Sequence, residues 1–309
     1  LWRVFGGEHA PSEVVAFIVD LINTQLKADI VSHNPSLCPR WVPRENASKK
    51  SPMPFRPLYH ALAEDYFSNY LATARTPEAT IRAKRKAYTH YRDQILTPLN
   101  ARLDTVQIKQ CGKTWSEIDY GKHVTSVTMR KQTKAFMNKN PKGDQRSSDP
   151  DRIKAAENFE AFVNSAKESG AAIKGKRVGI NTFIADAWGI CNAPDQTQID
   201  VLDLQWKNAG ETIGDLGEFV AMVDLSGSMG GDPMMAAIGL GLRVAEKSAL
   251  GPRVMTFSTS PQWINLERAN TLSEMISIMK PYTSGQYWGG STNFTAALKL
   301  ILDKVVEIK

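Results

Sequence analysis

Gly217-Glu218-Phe219-Val220-Ala221-Met222-Val223-Asp224-Leu225-Ser226-Gly227-Ser228 is the stretch that decides the C-terminal fold. Residues 218–223 form a short apolar run, the pattern of a parallel strand buried on both faces. A polar turn rich in glycine follows at once. Met234 to Ser248 then reads as a helix, Arg253 to Phe257 as a second strand and Leu272 to Met279 as a helix. A last helix starts near Asn293. Strand, helix, strand, helix, helix is the opening of a doubly wound α/β sheet. Open sheets of this kind hold ligands beyond the carboxyl ends of their strands, which is where Asp224 falls.

Residues at positions i, i+2 and i+4 of a tight turn can aim their oxygens at one point. Asp224, Ser226 and Ser228 would supply one carboxylate and two hydroxyls. Such a hard, all-oxygen set suits Mg²⁺, with Ca²⁺ or Mn²⁺ as alternatives. So little protein charge leaves the ion electrophilic, with a position free for a partner's carboxylate. The plainer reading is a polar strand-to-helix turn whose Ser or Asp caps the helix at Met234.

The stretch resembles the von Willebrand factor A family. Its signature is D-x-S-x-S after a buried strand, then a threonine from a later loop, then an aspartate further on. Gly289-Gly290-Ser291-Thr292-Asn293, followed by Ala296-Ala297-Leu298, matches the second part and places Thr292 as the threonine ligand. The resemblance implies a metal-ion-dependent adhesion site of Asp224, Ser226, Ser228 and Thr292 that binds Mg²⁺ and a protein ligand. It also implies that residues 216–309 are the N-terminal half of such a domain. Further residues or a second chain would complete the sheet.

Working outward, the texture changes on the other side of the strand. Residues 1–215 read as a basic α-helical region. Ser12 and apolar residues at helical spacing predict a helix over 12–26. Residues 33–57 carry six prolines and read as a loop. Helical patterns follow over 58–74 and 77–96, the second with Thr76 as cap and Pro77 at the first turn. Shorter helices are predicted over 100–110 and 124–138. Asp149-Pro150 opens another that Gly170 ends. The segment 171–216 carries no clear assignment. The region reads as an all-α array; no sequence period marks it as a helical repeat, though such a repeat remains one form it can take.

The chain has 309 residues and a formal net charge of +6. Residues 1–215 hold 30 Lys and Arg against 24 Asp and Glu, whereas 216–309 hold 8 of each. The basic excess therefore belongs to the helical region, which points to an anionic partner. Arg82, Lys84, Arg85 and Lys86 crowd one helix with Tyr88 and Tyr91 beside them. Arg130, Lys131 and Lys134 form a second cluster with Lys139 and Lys142, and Lys174, Lys176 and Arg177 a third. Cations interleaved with aromatics can neutralise phosphates and stack on bases. The alternative is a solvated face with its tyrosines in the core.

A helical region followed by a von Willebrand A-like part resembles the Ro ribonucleoprotein and its relatives, which implies binding to structured RNA. Trp115-Ser116-Glu117-Ile118-Asp119-Tyr120, with Ser126, Met129 and Phe136, resembles the family called domain of unknown function 2828.

Other classes lack their signals. Gly170 to Arg177 nearly matches a P-loop, but Arg177 stands where the magnesium-binding hydroxyl belongs, and no strand precedes it. There is no G-x-S-x-G, no H-E-x-x-H and no C-x-x-C. No run of about 20 apolar residues predicts a membrane span. Three scattered cysteines predict a reducing, intracellular and cytoplasmic setting. The expectation is a non-enzymatic binding protein: RNA on the helical part, a protein carboxylate on the metal site. The alternative is a scaffold or subunit of a large assembly, such as a virus particle, with no nucleic-acid role.

Overall fold

The computed structural model describes residues 11–45, 55–192, 195–284 and 292–308, the side chains of 304–308 excepted. The chain is mostly helical, with one small sheet near its C-terminal end. It divides into two compact units, residues 1–113 and 114–309.

The first unit contains α1 (Ser12–Val31), α2 (Cys38–Trp41), α3 (Arg56–Tyr66), α4 (Ser68–Ala72), α5 (Pro77–His90), α6 (Thr97–Leu103) and α7 (Val106–Gly112). A π-helical stretch, Tyr91–Leu96, joins α5 to α6. The Thr76 hydroxyl accepts the Ala79 N–H at 3.1 Å and caps α5, while Pro77 needs no partner for a first-turn N–H. Ser12 is not the cap of α1. The helix starts on it, after Pro11, with no side-chain cap. The proline-rich segment is also less of a loop than its composition suggests, because Pro39 and Pro57 lie in the first turns of α2 and α3, where proline costs a helix nothing. The core of this unit gathers Ile18, Leu26, Leu58, Leu62, Tyr91 and Leu96.

The second unit holds α8 (Ser126–Phe136), α9 (Pro150–Ser169), α10 (Ile180–Ile190) and α11 (Gln196–Gly210). It continues with β1 (Ala221–Asp224), α12 (Asp232–Lys247), β2 (Arg253–Phe257), β3 (Trp263–Asn265), α13 (Leu272–Met279) and α14 (Phe294–Ile308). The Asp149 carboxylate caps α9 at the Asp151 N–H, 2.9 Å away. Gly170, at φ +69°, ends it in the left-handed region that glycine tolerates. Both helices of the unassigned segment, α10 and α11, belong to the main core.

The sheet runs β1-β2-β3. β1 and β2 are parallel, with Asp224 opposite Phe257, and α12 makes the crossover that a parallel pair needs. β3 is antiparallel to β2, and the sequence pattern does not predict it. Phe183 and Ile184 of α10 and Leu202 and Trp206 of α11 share one core with Val223, Leu242, Val254 and Ile276. Two glycines let α12 lie this close to its neighbours. A Cβ on Gly241 would run into Val223 of β1, and one on Gly239 into Ile180 at 2.7 Å. No helix among the described residues is long and apolar enough to cross a membrane.

Candidate functional site

Asp224 is the last residue of β1, and the ladder continues one step past it, with the Leu225 N–H on the Phe257 carbonyl at 3.4 Å. Leu225 is fully buried and pins the turn to the core. The chain then folds back in a 3₁₀ turn, Gly227–Met229, in which the Met229 N–H bonds the Ser226 carbonyl at 3.0 Å. Two contacts order the turn. One Asp224 carboxylate oxygen accepts the Ser226 N–H at 2.8 Å, and the Ser226 and Ser228 hydroxyls lie 3.1 Å apart. Ser226 is buried, Asp224 half-buried and Ser228 exposed, so the set reaches from the core to solvent.

The hydroxyl spacing suits a small hard cation. Two cis ligands of an octahedral Mg²⁺, each about 2.1 Å from the metal, stand about 3.0 Å apart. Among the described residues, no three His, Cys, Asp or Glu side chains converge as a metal site. A cation at the β1 turn would therefore meet hydroxyls and one carboxylate.

Thr292 is exposed and precedes α14. The Asn293 N–H bonds the Ser258 carbonyl at 3.1 Å, and the Asn293 side-chain oxygen caps α14 through the Ala296 N–H at 3.0 Å. Phe294 packs edge-on against Phe257 of β2, with centroids 6.3 Å apart. These contacts bring Thr292 to the carboxyl end of β2, next to the strand that ends in Asp224. Gly289, Gly290 and Ser291 lie outside the described residues.

The basic residues occupy different places. Arg82 and Arg85 are exposed on α5. Lys84 pairs with Glu64 at 2.9 Å, and the Lys86 ammonium sits 4.6 Å from the centre of the Tyr70 ring. Tyr91 is fully buried and donates to Asn23 at 3.0 Å. Tyr88 stacks on His60 at 4.1 Å and donates to Glu64. Tyr91 is thus closed to a base, and Tyr88, half-buried, has one ring face taken by His60. On α8, Arg130 grips Asp186 of α10 through two bonds of 2.5 and 2.9 Å. Lys131 and Lys134 are exposed, and together with Arg130 they line one groove.

A family model described as "Domain of unknown function (DUF2828)" matches residues 18–219, well over half of the chain. The chain belongs to the DUF2828 family. A second model, "Domain of unknown function (DUF7788)", matches residues 218–309. The seam between the two falls at the entry to β1, beside the change of texture at residue 216. An uncharacterized protein of Acanthamoeba polyphaga mimivirus is 27% identical over 281 residues, covering 89% of this chain and 43% of that protein. The chain thus spans less than half the length of that relative. No solved structure matches it.

Within the DUF2828 match, two sequence features turn out to be packing devices. The Asp151 carboxylate accepts the N–H groups of Trp115 and Ser116 and the Ser116 hydroxyl, at 2.7, 3.1 and 2.6 Å. Tyr120 donates to the Ala155 carbonyl at 2.9 Å. The Trp115 to Tyr120 motif therefore fastens a turn onto α9. The P-loop look-alike is a connection, neither helix nor strand, packed on α11: a Cβ on Gly175 would collide with the Gln205 carbonyl, and the Gly175 N–H bonds Asn208 at 2.8 Å. What sequence reasoning missed is the face that α10 and α11 offer to α8, with Asp186 and Gln198. The Asp195 cap ahead of Ile199, Leu202 and Trp206 was the available signal for α11.

Proposed function

We propose that the chain is a non-enzymatic binding protein whose C-terminal part captures a partner's carboxylate through a divalent cation, Mg²⁺ in the first place. The 3.1 Å approach of the Ser226 and Ser228 hydroxyls beside Asp224 carries this reading. Asp224, Ser226 and Ser228 would hold the ion, with Thr292 brought to the same sheet edge. The parallel β1-α12-β2 unit supports the von Willebrand A-like reading of residues 216–309. In that reading β1, an edge strand among the described residues, accepts further strands from the same protein or a second chain. Three cysteines without disulfides fit a reducing, cytoplasmic setting.

The test is Mn²⁺ titration of the full chain by paramagnetic resonance, with Mg²⁺ as competitor. Saturable binding that Mg²⁺ displaces, weakened about tenfold or more in Asp224→Ala and in Ser226→Ala, supports the site. Binding that ignores both substitutions rejects it.

A second reading, RNA binding by the helical part, is favoured by the exposed cations Arg82, Arg85 and Lys131, which have no acidic partner among the described residues. Buried Tyr91 does not add to it. A structured RNA bound in low salt, with affinity falling steeply as salt rises, supports this reading. No binding leaves a protein scaffold or assembly subunit.

A further inference from the structure

Helices α8, α10 and α11 enclose a groove of about 530 Å³ within the second unit. That volume lies in the range of small-molecule sites. The floor is apolar, made by Ile190, Val201 and Leu202, and the rim is basic. Charge on the rim is uneven. Arg130 and Asp186 neutralise each other through their two-point contact. Among the described residues Lys134 reaches only the Pro141 carbonyl, at 3.3 Å, which cancels no charge. Lys131 is exposed with no partner among the described residues. Two uncompensated ammonium groups therefore remain. They stand three residues apart on α8, so they share one face of the helix and can reach one anion together.

The opposite wall adds the side chain of Gln198. Its backbone N–H is used by Asp195, at 3.2 Å, while its amide has no partner among the described residues. A free amide offers both a donor and an acceptor. A phosphate monoester carries close to two negative charges at neutral pH, which matches the two free lysines, whereas a phosphodiester within a strand carries one and would leave one of them over. Among the described residues no aromatic ring lines the groove, so the organic part of a ligand would be held by its edge, not by stacking.

We propose that this groove binds a phosphate ester of nucleotide size, with Lys131 and Lys134 on the phosphate and Gln198 on the organic part. The source of that chemistry is a free nucleotide or one nucleotide of an RNA strand. The proposal deepens the RNA reading above and rests on it only where the strand is the source.

The experiment titrates the full chain with adenosine monophosphate by calorimetry and with a short, labelled, single-stranded oligoribonucleotide by anisotropy, both in low salt. Lys131→Glu with Lys134→Glu should weaken whichever probe binds by about tenfold or more, with the circular dichroism of the helices unchanged. Gln198→Ala should weaken adenosine monophosphate and leave inorganic phosphate unaffected. Lys154→Glu, at an exposed position of α9, should change neither probe. Loss of the mononucleotide identifies a free nucleotide as ligand, and loss of the oligonucleotide alone identifies a strand. The proposal is overturned if neither probe binds at millimolar concentration, or if binding survives the double substitution. Oligonucleotide binding that survives there but is lost on Arg82→Glu with Arg85→Glu removes the groove and keeps the RNA reading. Groove-dependent mononucleotide binding with no oligonucleotide binding does the reverse.

Discussion

At Asp203 on α11 two demands conflict. One carboxylate oxygen accepts the Ser273 N–H at the start of α13, at 3.3 Å. The other is buried without a hydrogen-bond partner among the described residues. Burial pushes the carboxyl up to about 7, against the opposing bonds from Ser273 and Leu272. The folded state therefore favours the protonated form, whereas an unfolded aspartate ionises near pH 3.9. Stability from this group is fully present below about pH 4, falls as pH rises towards about 7, and is flat above that. Asp203→Asn keeps an acceptor for Ser273 and removes the ionisation. Urea unfolding should find the variant equal to the parent near about pH 4 and more stable near about pH 8, by at most ~4 kcal/mol. A difference that does not vary with pH would refute this account. Gly175 is a steric case of the same kind. Gly175→Ala drives a methyl into the Gln205 carbonyl and should lower stability by roughly 1–3 kcal/mol or more, read as a lower urea midpoint at unchanged slope.

Among elements, those that carry their own stop and start signals were legible. Thr76-Pro77 opens α5, Asp149-Pro150 opens α9, and Gly170 closes it, because each acts on the backbone within a turn of itself. β2 and α13 lie where the pattern places them. The apolar run before Asp224 predicts a strand from 218, but pairing with β2 begins only at Ala221; a ladder needs a partner, which composition does not show. α10 and α11 were illegible because glycine, asparagine and aspartate mask their apolar faces, and because they are held by a distant core. The Trp115 to Tyr120 motif was visible as a pattern, but its use was not, since its partner Asp151 lies on the next helix. Burial pulls the Asp151 carboxyl upward, but the bonds from Ser116 and Trp115 outweigh it and hold it below its ordinary value. Asp151→Ala should orphan three donors and cost roughly 2–3 kcal/mol near neutral pH. The contribution should fade as pH falls through that lowered value, so a melting-temperature gap to the parent that narrows in acid is the expected signature.

For the whole molecule, the sequence shows the join between helical and α/β textures near residue 216 but not how the core is shared across it. The candidate site was likewise legible in part. Asp224, Ser226 and Ser228 are close in sequence and meet in one turn, whereas Thr292 reaches the sheet only through Ser258 and Phe257. The compact unit that carries the site begins at Thr114. Its core places Phe183, Ile184, Leu202 and Trp206 against Val223, Leu242 and Val254. Trp206 also donates to Glu246 of α12 at 2.6 Å, and Arg243 of the same helix bonds the Trp206 carbonyl. A fragment of residues 216–309 leaves the first four of those side chains behind, and each large apolar group removed from a core costs about 2–5 kcal/mol. That loss approaches the whole stability of an ordinary domain. A fragment of residues 114–309 keeps all of them. Calorimetry should therefore find a cooperative melt for 114–309 and none for 216–309, with Mn²⁺ binding following the melt. A cooperative transition in the shorter fragment would mean that α10 and α11 lean on the sheet without helping to form it, and that the turn at Asp224 is held by its own strand pair alone.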